Sequence, residues 1–156
     1  MKKFVLASVA ALAFATPSFA ADFTGPRVGA NVGLADENFV GDASFTYGAE
    51  VGYDHAIADN AIVGVTAEIQ DTDDTGRELA LTVRAGGVVG NSALVYVLGG
   101  YTNLNAVGFN FEGFKIGAGV EVAVTEQAFV KFEHRYANYD SGVKYHQNLV
   151  GVGFRF

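Results

Sequence analysis

Residues 114–122 read FKIGAGVEV, and they alternate without a break. Phe114, Ile116, Ala118, Val120 and Val122 share one parity, while Lys115, Gly117, Gly119 and Glu121 share the other. Successive side chains of a β-strand point to opposite faces, so one face is wholly apolar and the other mixes glycine with charge. On a solvent-exposed strand surface those glycines would weaken the strand and cover nothing. Inside a narrow barrel they clear space for long charged neighbours. The stretch therefore predicts a strand whose polar face points into a barrel and whose apolar face points out.

The same period of two recurs along the chain, broken by clusters of Gly, Asn and Asp. It predicts strands over 27–34, 45–54, 61–70, 78–87, 114–122, 128–136 and the closing stretch 148–156. In that last segment Val150, Val152, Phe154 and Phe156 oppose Gly151, Gly153 and Arg155. An eighth strand over 93–102 is apolar on both parities, with Leu94, Tyr96 and Leu98 against Val95, Val97 and Tyr101. Its facing is open from sequence. No helical stripe follows the N-terminal segment. The fold class expected is all-β: an eight-stranded antiparallel up-and-down barrel. The intervals 35–44, 71–77, 103–113 and 137–146 read as long connections, and 55–60, 88–92 and 123–127 as short turns, the asymmetry of outer-membrane barrels whose termini lie in the periplasm.

A soluble barrel of similar size would place its apolar parity inside and expose charge. Here the apolar parity is free of charge on seven strands, with His134 as its main polar exception. That is the expectation for a lipid-facing surface, where an Arg or Lys at the bilayer midplane costs about 2–4 kcal/mol. Backbone groups in lipid must pair internally, so the sheet must close.

The N-terminus has the three parts of an export signal. Lys2 and Lys3 precede an apolar run over 4–15, and Thr16-Pro17-Ser18-Phe19-Ala20 offers small residues before a cut after Ala20. The run is shorter than the roughly 20 residues of a spanning helix. Residues 1–20 are thus expected to be a cleaved signal peptide and 21–156 a single outer-membrane barrel domain. Without residues 1–20 the 156-residue chain keeps 136 residues, 8 basic and 17 acidic, a net charge of −9. That balance argues against nucleic acid as a partner. The chain has no cysteine, which excludes a disulfide framework and thiolate metal sites.

The signal segment, the eight alternating strands, the penultimate FVKFEHRYANYD and the terminal VGVGFRF together resemble the small outer-membrane β-barrel proteins of Gram-negative bacteria. Among them the likeness is to the porin-like, opacity-like outer membrane protein β-barrel domain family, akin to OmpX and the transmembrane part of OmpA. Relatives usually carry Tyr where this chain has His134. The resemblance implies an integral outer-membrane protein, delivered by periplasmic chaperones and inserted by the barrel-assembly machinery, with the terminal aromatics Phe154 and Phe156 as the assembly signal. The expected surroundings are outer-membrane lipid and lipopolysaccharide, and the expected state is a monomer.

The inward parity collects Glu50, Glu68, Glu121 and Glu133 with Arg84, Lys115, Lys131, Arg135 and Arg155, and Arg27 near one end. In a confined lumen these charges must pair, because an unpaired buried charge costs several kcal/mol. A structural network is the expectation, and a gate that opens by re-pairing is the sharper alternative. The outer rim is expected to hold Asp36, Glu37, Asp42, Asp71, Asp73, Asp74, Glu78, Glu112 and Asp140 against Arg77 and Lys144. Its stretch DTDDTGRE begins like a calcium loop but has Thr75 and Thr82 at ligand positions. A solvated turn with no metal site is the favoured reading, and weak Ca²⁺ or Mg²⁺ association is the alternative. In TNLNAVGFNFEGF, Phe109 and Phe111 either extend the hairpin above the lipid or offer an apolar patch to a partner. Extension is favoured because the segment alternates.

Of the three histidines, His55 lies in a turn, His134 faces lipid and His146 begins the last strand. His134 is placed to meet His146 across the final hairpin, but no outward serine or carboxylate joins them as a triad would require. No catalytic residues and no cofactor are expected. The function expected is a non-catalytic structural role in the envelope, with surface adhesion and a narrow ion channel as alternatives.

Overall fold

The computed structural model describes residues 22–37, 43–72, 76–106, 109–140, 142 and 144–156, with the side chains of 37, 43, 106 and 109 left aside. The expected export signal, 1–20, lies outside the described residues. Eight strands follow in order: β1 Gly25–Glu37, β2 Ala43–Ala58, β3 Ala61–Thr72, β4 Gly76–Val89, β5 Ala93–Ala106, β6 Phe109–Ala123, β7 Ala128–Tyr139 and β8 Lys144–Arg155. Each pairs antiparallel with its neighbour in sequence, and β1 pairs with β8 to close the barrel. Closure leaves no sheet edge, the condition for a β-structure to sit in lipid.

The strands are longer than the alternation alone indicated. The expected turn 55–60 contracts to Asp59 and Asn60, because His55–Ala58 continue β2 through a bulge between Ala56 and Ala58. The expected connection 103–113 is mostly ladder, with Asn105 opposite Asn110. There Asn105 Nδ2 donates to Asn110 Oδ1 at 2.9 Å. The hairpin thus extends, and Phe111 turns half-buried toward the interior rather than outward. The 137–146 connection shortens as well, with Asn138 opposite Lys144. Polar residues read as loop are ladder positions, since backbone pairing tolerates any side chain that finds water or a partner. The expected contrast between long and short connections therefore becomes a contrast in strand extension.

The two faces sort by parity as the alternation indicated. Val51, Val65, Leu81, Val97, Ile116 and Val152 are exposed on the outside, while Glu50, Arg84, Lys115 and Glu121 are buried inside. The undecided strand β5 is settled: Leu94, Tyr96, Leu98, Thr102 and Leu104 point in, and Val95, Val97 and Tyr101 point out. The barrel closes at the chain's end, where Phe156 N–H donates to Pro26 O at 2.9 Å. Gly25 makes this approach possible: its φ is 95°, and a Cβ there would collide with the Phe156 carbonyl. Phe154 and Phe156 both project outward, Phe156 at 73% exposure.

Inward glycines make room for the charged side chains beside them. A Cβ on Gly119 would stand 2.8 Å from both Glu133 Cγ and Tyr96 Cζ, and one on Gly151 2.8 Å from Lys131 Cε. Outward Gly99 has nothing nearer than 3.7 Å. Gly119→Val is therefore expected to lower unfolding stability by about 1–3 kcal/mol through overpacking. Gly99→Val should leave the urea midpoint unchanged, and equal midpoints for the two variants would refute the space-clearing role.

Candidate functional site

The lumen is layered. At the end of the barrel that bears Asp22 and Phe156, Phe23, Ile62, Leu94, Tyr96, Leu98 and Ala123 form an apolar cluster. At the opposite end Ala35, Leu104, Ala137, Tyr139 and Tyr145 form another, with Phe111 against it. Tyr139 and Tyr145 meet edge to face at 5.6 Å. Between these layers lie the charges.

Those charges form one alternating chain of twelve, base then acid throughout. It starts at Arg155, which pairs with Glu121, and Glu121 then takes Arg84 at 2.9 Å. Arg84 grips Asp54 with Nε at 2.8 Å and Nη2 at 2.5 Å. Asp54 also takes Arg27 Nε at 3.0 Å. Arg27 reaches Glu50 at 2.7 Å, and Glu50 takes Lys131 at 2.5 Å. Lys131 continues to Glu133 at 3.0 Å, which accepts Arg135 Nε at 2.6 Å. Arg135 holds Glu68 with both terminal nitrogens, at 2.6 and 2.7 Å. Glu68 takes Lys115 at 3.3 Å, and Lys115 ends the chain on Glu78. Six bases thus meet six acids, contributed by every strand except β5.

The structure brings together all nine lumen residues named from the sequence, with Arg27. It also adds two acids that parity counting missed. Glu78, expected on the rim, is 5% exposed inside the barrel, because β4 begins two residues earlier than the alternation suggested. Asp54 was read as a strand end, but β2 continues past it. It is fully buried and joins Arg27 to Arg84. Without these two the lumen would hold six bases and four acids. The inward parity of Asp54 and Glu78 was the available signal, and only the strand ends concealed it.

Uncharged groups complete the chain. Tyr96 from β5 donates to Glu133 at 2.5 Å, and its ring lies 4.8 Å from the Arg84 guanidinium. Arg27 donates to Thr66 Oγ1, and Tyr139 caps the far end by donating to Glu78 at 2.8 Å. At the near end Arg155 donates to the Asp22 carbonyl at 3.1 Å and stacks between Phe23 at 4.9 Å and Phe129 at 5.4 Å. Thr24 donates from Oγ1 and backbone N to the Asp22 carboxylate, at 2.7 and 2.9 Å, and holds its pKa below the usual carboxylate range. This turn sets Phe23 over the mouth.

Outside the barrel the polar exceptions gather on β7 and β8. His134 and His146 do meet across the hairpin, with ring centres 5.9 Å apart. Tyr136 lies 5.1 Å from His146, and His134 Nδ1 donates to Asn148 Oδ1 at 2.9 Å. Asn148 was not singled out from sequence, although its outward parity was readable. His55 lies on β2, past the apolar run. Of the expected rim, Asp36, Arg77, Glu112, Asp140 and Lys144 are exposed and Asp71 is half-buried. The side chain of Glu37, together with Asp42, Asp73 and Asp74, lies outside the described residues, and so does Thr75 of the calcium-like loop. Among the described residues no three His, Asp or Glu side chains converge on one point.

Removing one member of a buried ion pair leaves its partner charged and unpaired, at about 3–5 kcal/mol. Asp54→Ala takes one of two carboxylate partners from each of Arg27 and Arg84 and leaves the lumen one acid short, so it is expected to destabilise the barrel by about 3–5 kcal/mol in urea unfolding. Asp140→Ala, on the exposed rim, should stay within about 0.5 kcal/mol of the parent.

The sequence profile of the outer membrane protein beta-barrel domain matches residues 5–156. No curated protein matches the sequence. Among solved structures, the fold is similar to the N-terminal β-barrel domain of Pseudomonas aeruginosa OprF, with a TM-score of 0.62 and 19% identity over 85% of this chain and 99% of that one. It is also similar to Ail, the attachment invasion locus protein of Yersinia pestis, with a TM-score of 0.59 and 14% identity over 85% and 97%. The outer membrane enzyme PagL gives a TM-score of 0.57 at 14% identity, over 83% and 99%. At such identities the likeness shows a shared transmembrane barrel fold, one that hosts more than one activity. The match across nearly the whole sequence places the chain in the outer membrane protein β-barrel domain family.

Proposed function

We propose that this protein is a sealed, non-catalytic structural barrel that contributes to the integrity of the bacterial outer membrane. The observation behind this reading is the layered lumen. Six acids and six bases neutralise one another in a single chain, and apolar clusters close both ends. An ion would have to break pairs and displace buried aromatics to pass. An eight-stranded barrel leaves room for its own side chains and little else.

Residues 1–20 act as a cleaved export signal in this reading, and the chain termini face the periplasm. Phe154 and Phe156, both outward at the end of the closing strand, serve as the signal for the barrel-assembly machinery, to which periplasmic chaperones deliver the chain. The barrel is a monomer among phospholipid and lipopolysaccharide. Among the described residues no outward serine stands beside His134 and His146, as a hydrolytic triad would require.

Purified barrel in planar bilayers is expected to give no unitary conductance steps, while a deletion strain becomes more sensitive to detergent than its parent. Reproducible steps would overturn the sealed reading. Unchanged detergent sensitivity would overturn the structural role.

A further inference from the structure

The lipid-facing surface is uneven. On β6 it keeps Phe114, Ile116, Ala118, Val120 and Val122 in an unbroken apolar run. On β7 beside it Ala128, Val130 and Phe132 precede His134, which stands directly across from Ala118, the middle of the β6 run. Asn148 of β8 lies level with His134, and Leu34 of β1 lies level with Asn148. Polar groups on a lipid-facing surface are costly and mark candidate sites of function.

The arrangement of these groups is specific. The Asn148 Oδ1 carbonyl only accepts, so His134 engages it through Nδ1, which leaves Nε2 as the nitrogen open to a ligand. Metal-binding histidines are held in this way, with one ring N–H on an oxygen and the other nitrogen free to ligate. The second imidazole, His146, has its ring centre 5.9 Å away at an interplanar angle of 32°. With Zn–N bonds of about 2.1 Å, two imidazoles on one tetrahedral ion place their ring centres about 5 Å apart. Both side chains are exposed, and their separation is within about 1 Å of that value. Around the pair stand acids more than bases: Asp36 is directly across from His146, and Glu112 and Asp140 are exposed on the same rim, against Lys144, two residues from His146 on the same face. Their field draws cations and disfavours an anionic headgroup.

We infer that His134 and His146 form a two-histidine site for a borderline divalent transition metal such as Zn²⁺ or Cu²⁺, with Asn148 as a positioning residue. Imidazole nitrogens select such ions over Ca²⁺ and Mg²⁺, which take oxygen ligands. Water fills the remaining coordination positions. The inference is independent of whether the lumen conducts.

The test uses barrel purified from outer membranes in detergent micelles, with heat-modifiable gel migration as the check that each variant is folded. Calorimetry should show one Zn²⁺ per barrel, and Cu²⁺ spectra should show nitrogen hyperfine structure. His134→Asn and His146→Asn should each weaken Zn²⁺ binding by tenfold or more, and Asn148→Ala by about tenfold, the effect of losing a group that orients a ligand. His55→Asn should change nothing. Absence of Zn²⁺ binding up to millimolar concentration, or binding that survives the double His134→Asn/His146→Asn replacement, would overturn the site.

Discussion

Inside the barrel no charge can be left without an opposite one, because an ion removed from water costs several kcal/mol unless a partner repays it. The whole interior follows from that constraint. Twelve charged side chains link into a single alternating chain, from Arg155 at one end to Glu78 at the other. The order along the chain ties distant strands together: Asp54 joins β1 to β4, Glu50 joins β1 to β7, and Glu68 joins β7 to β6. A one-residue slip in any strand other than β5 would move its charges to the lipid face. Pairing inside the barrel thus specifies register for the sheet that surrounds it.

Lipid imposes the complementary demand outside. Backbone groups cannot find water there, so the ladder must close, and Gly25 lets the last residue come near enough for Phe156 to bond Pro26. Glycine has a second use on the inner face, where it yields volume to long neighbours. Gly119 stands beside Glu133 and Tyr96, and Gly151 beside Lys131. The FKIGAGVEV pattern is the local sign of both demands.

The faces of seven strands were legible in the sequence because one parity carried no charge. β5 was not, since Leu94, Tyr96 and Leu98 are as apolar as the lipid-facing Val95 and Val97. The reason became visible only in the fold: these inward residues form the seal at the terminal end, where an apolar interior is required. Strand ends were the weakest part of the reading. Polar residues such as Asn105, Asn110 and Asn138 resemble loop in composition yet pair as ladder. That error hid Asp54 and Glu78 and left the expected lumen with excess positive charge. Pair identities were beyond reach of spacing, because partners such as Glu50 and Lys131 are 81 residues apart.

The central claim is that the lumen is stabilised by charge matching rather than by the number of its polar contacts. A double-mutant cycle across Lys115 and Glu78 tests it most directly, with unfolding in urea as the readout. Lys115→Met and Glu78→Gln each unbalance the chain, while the two together restore neutrality. The account predicts that the double variant is more stable than the sum of the single losses requires, by about 1–3 kcal/mol. Additivity of the two losses, within about 0.5 kcal/mol, would contradict it.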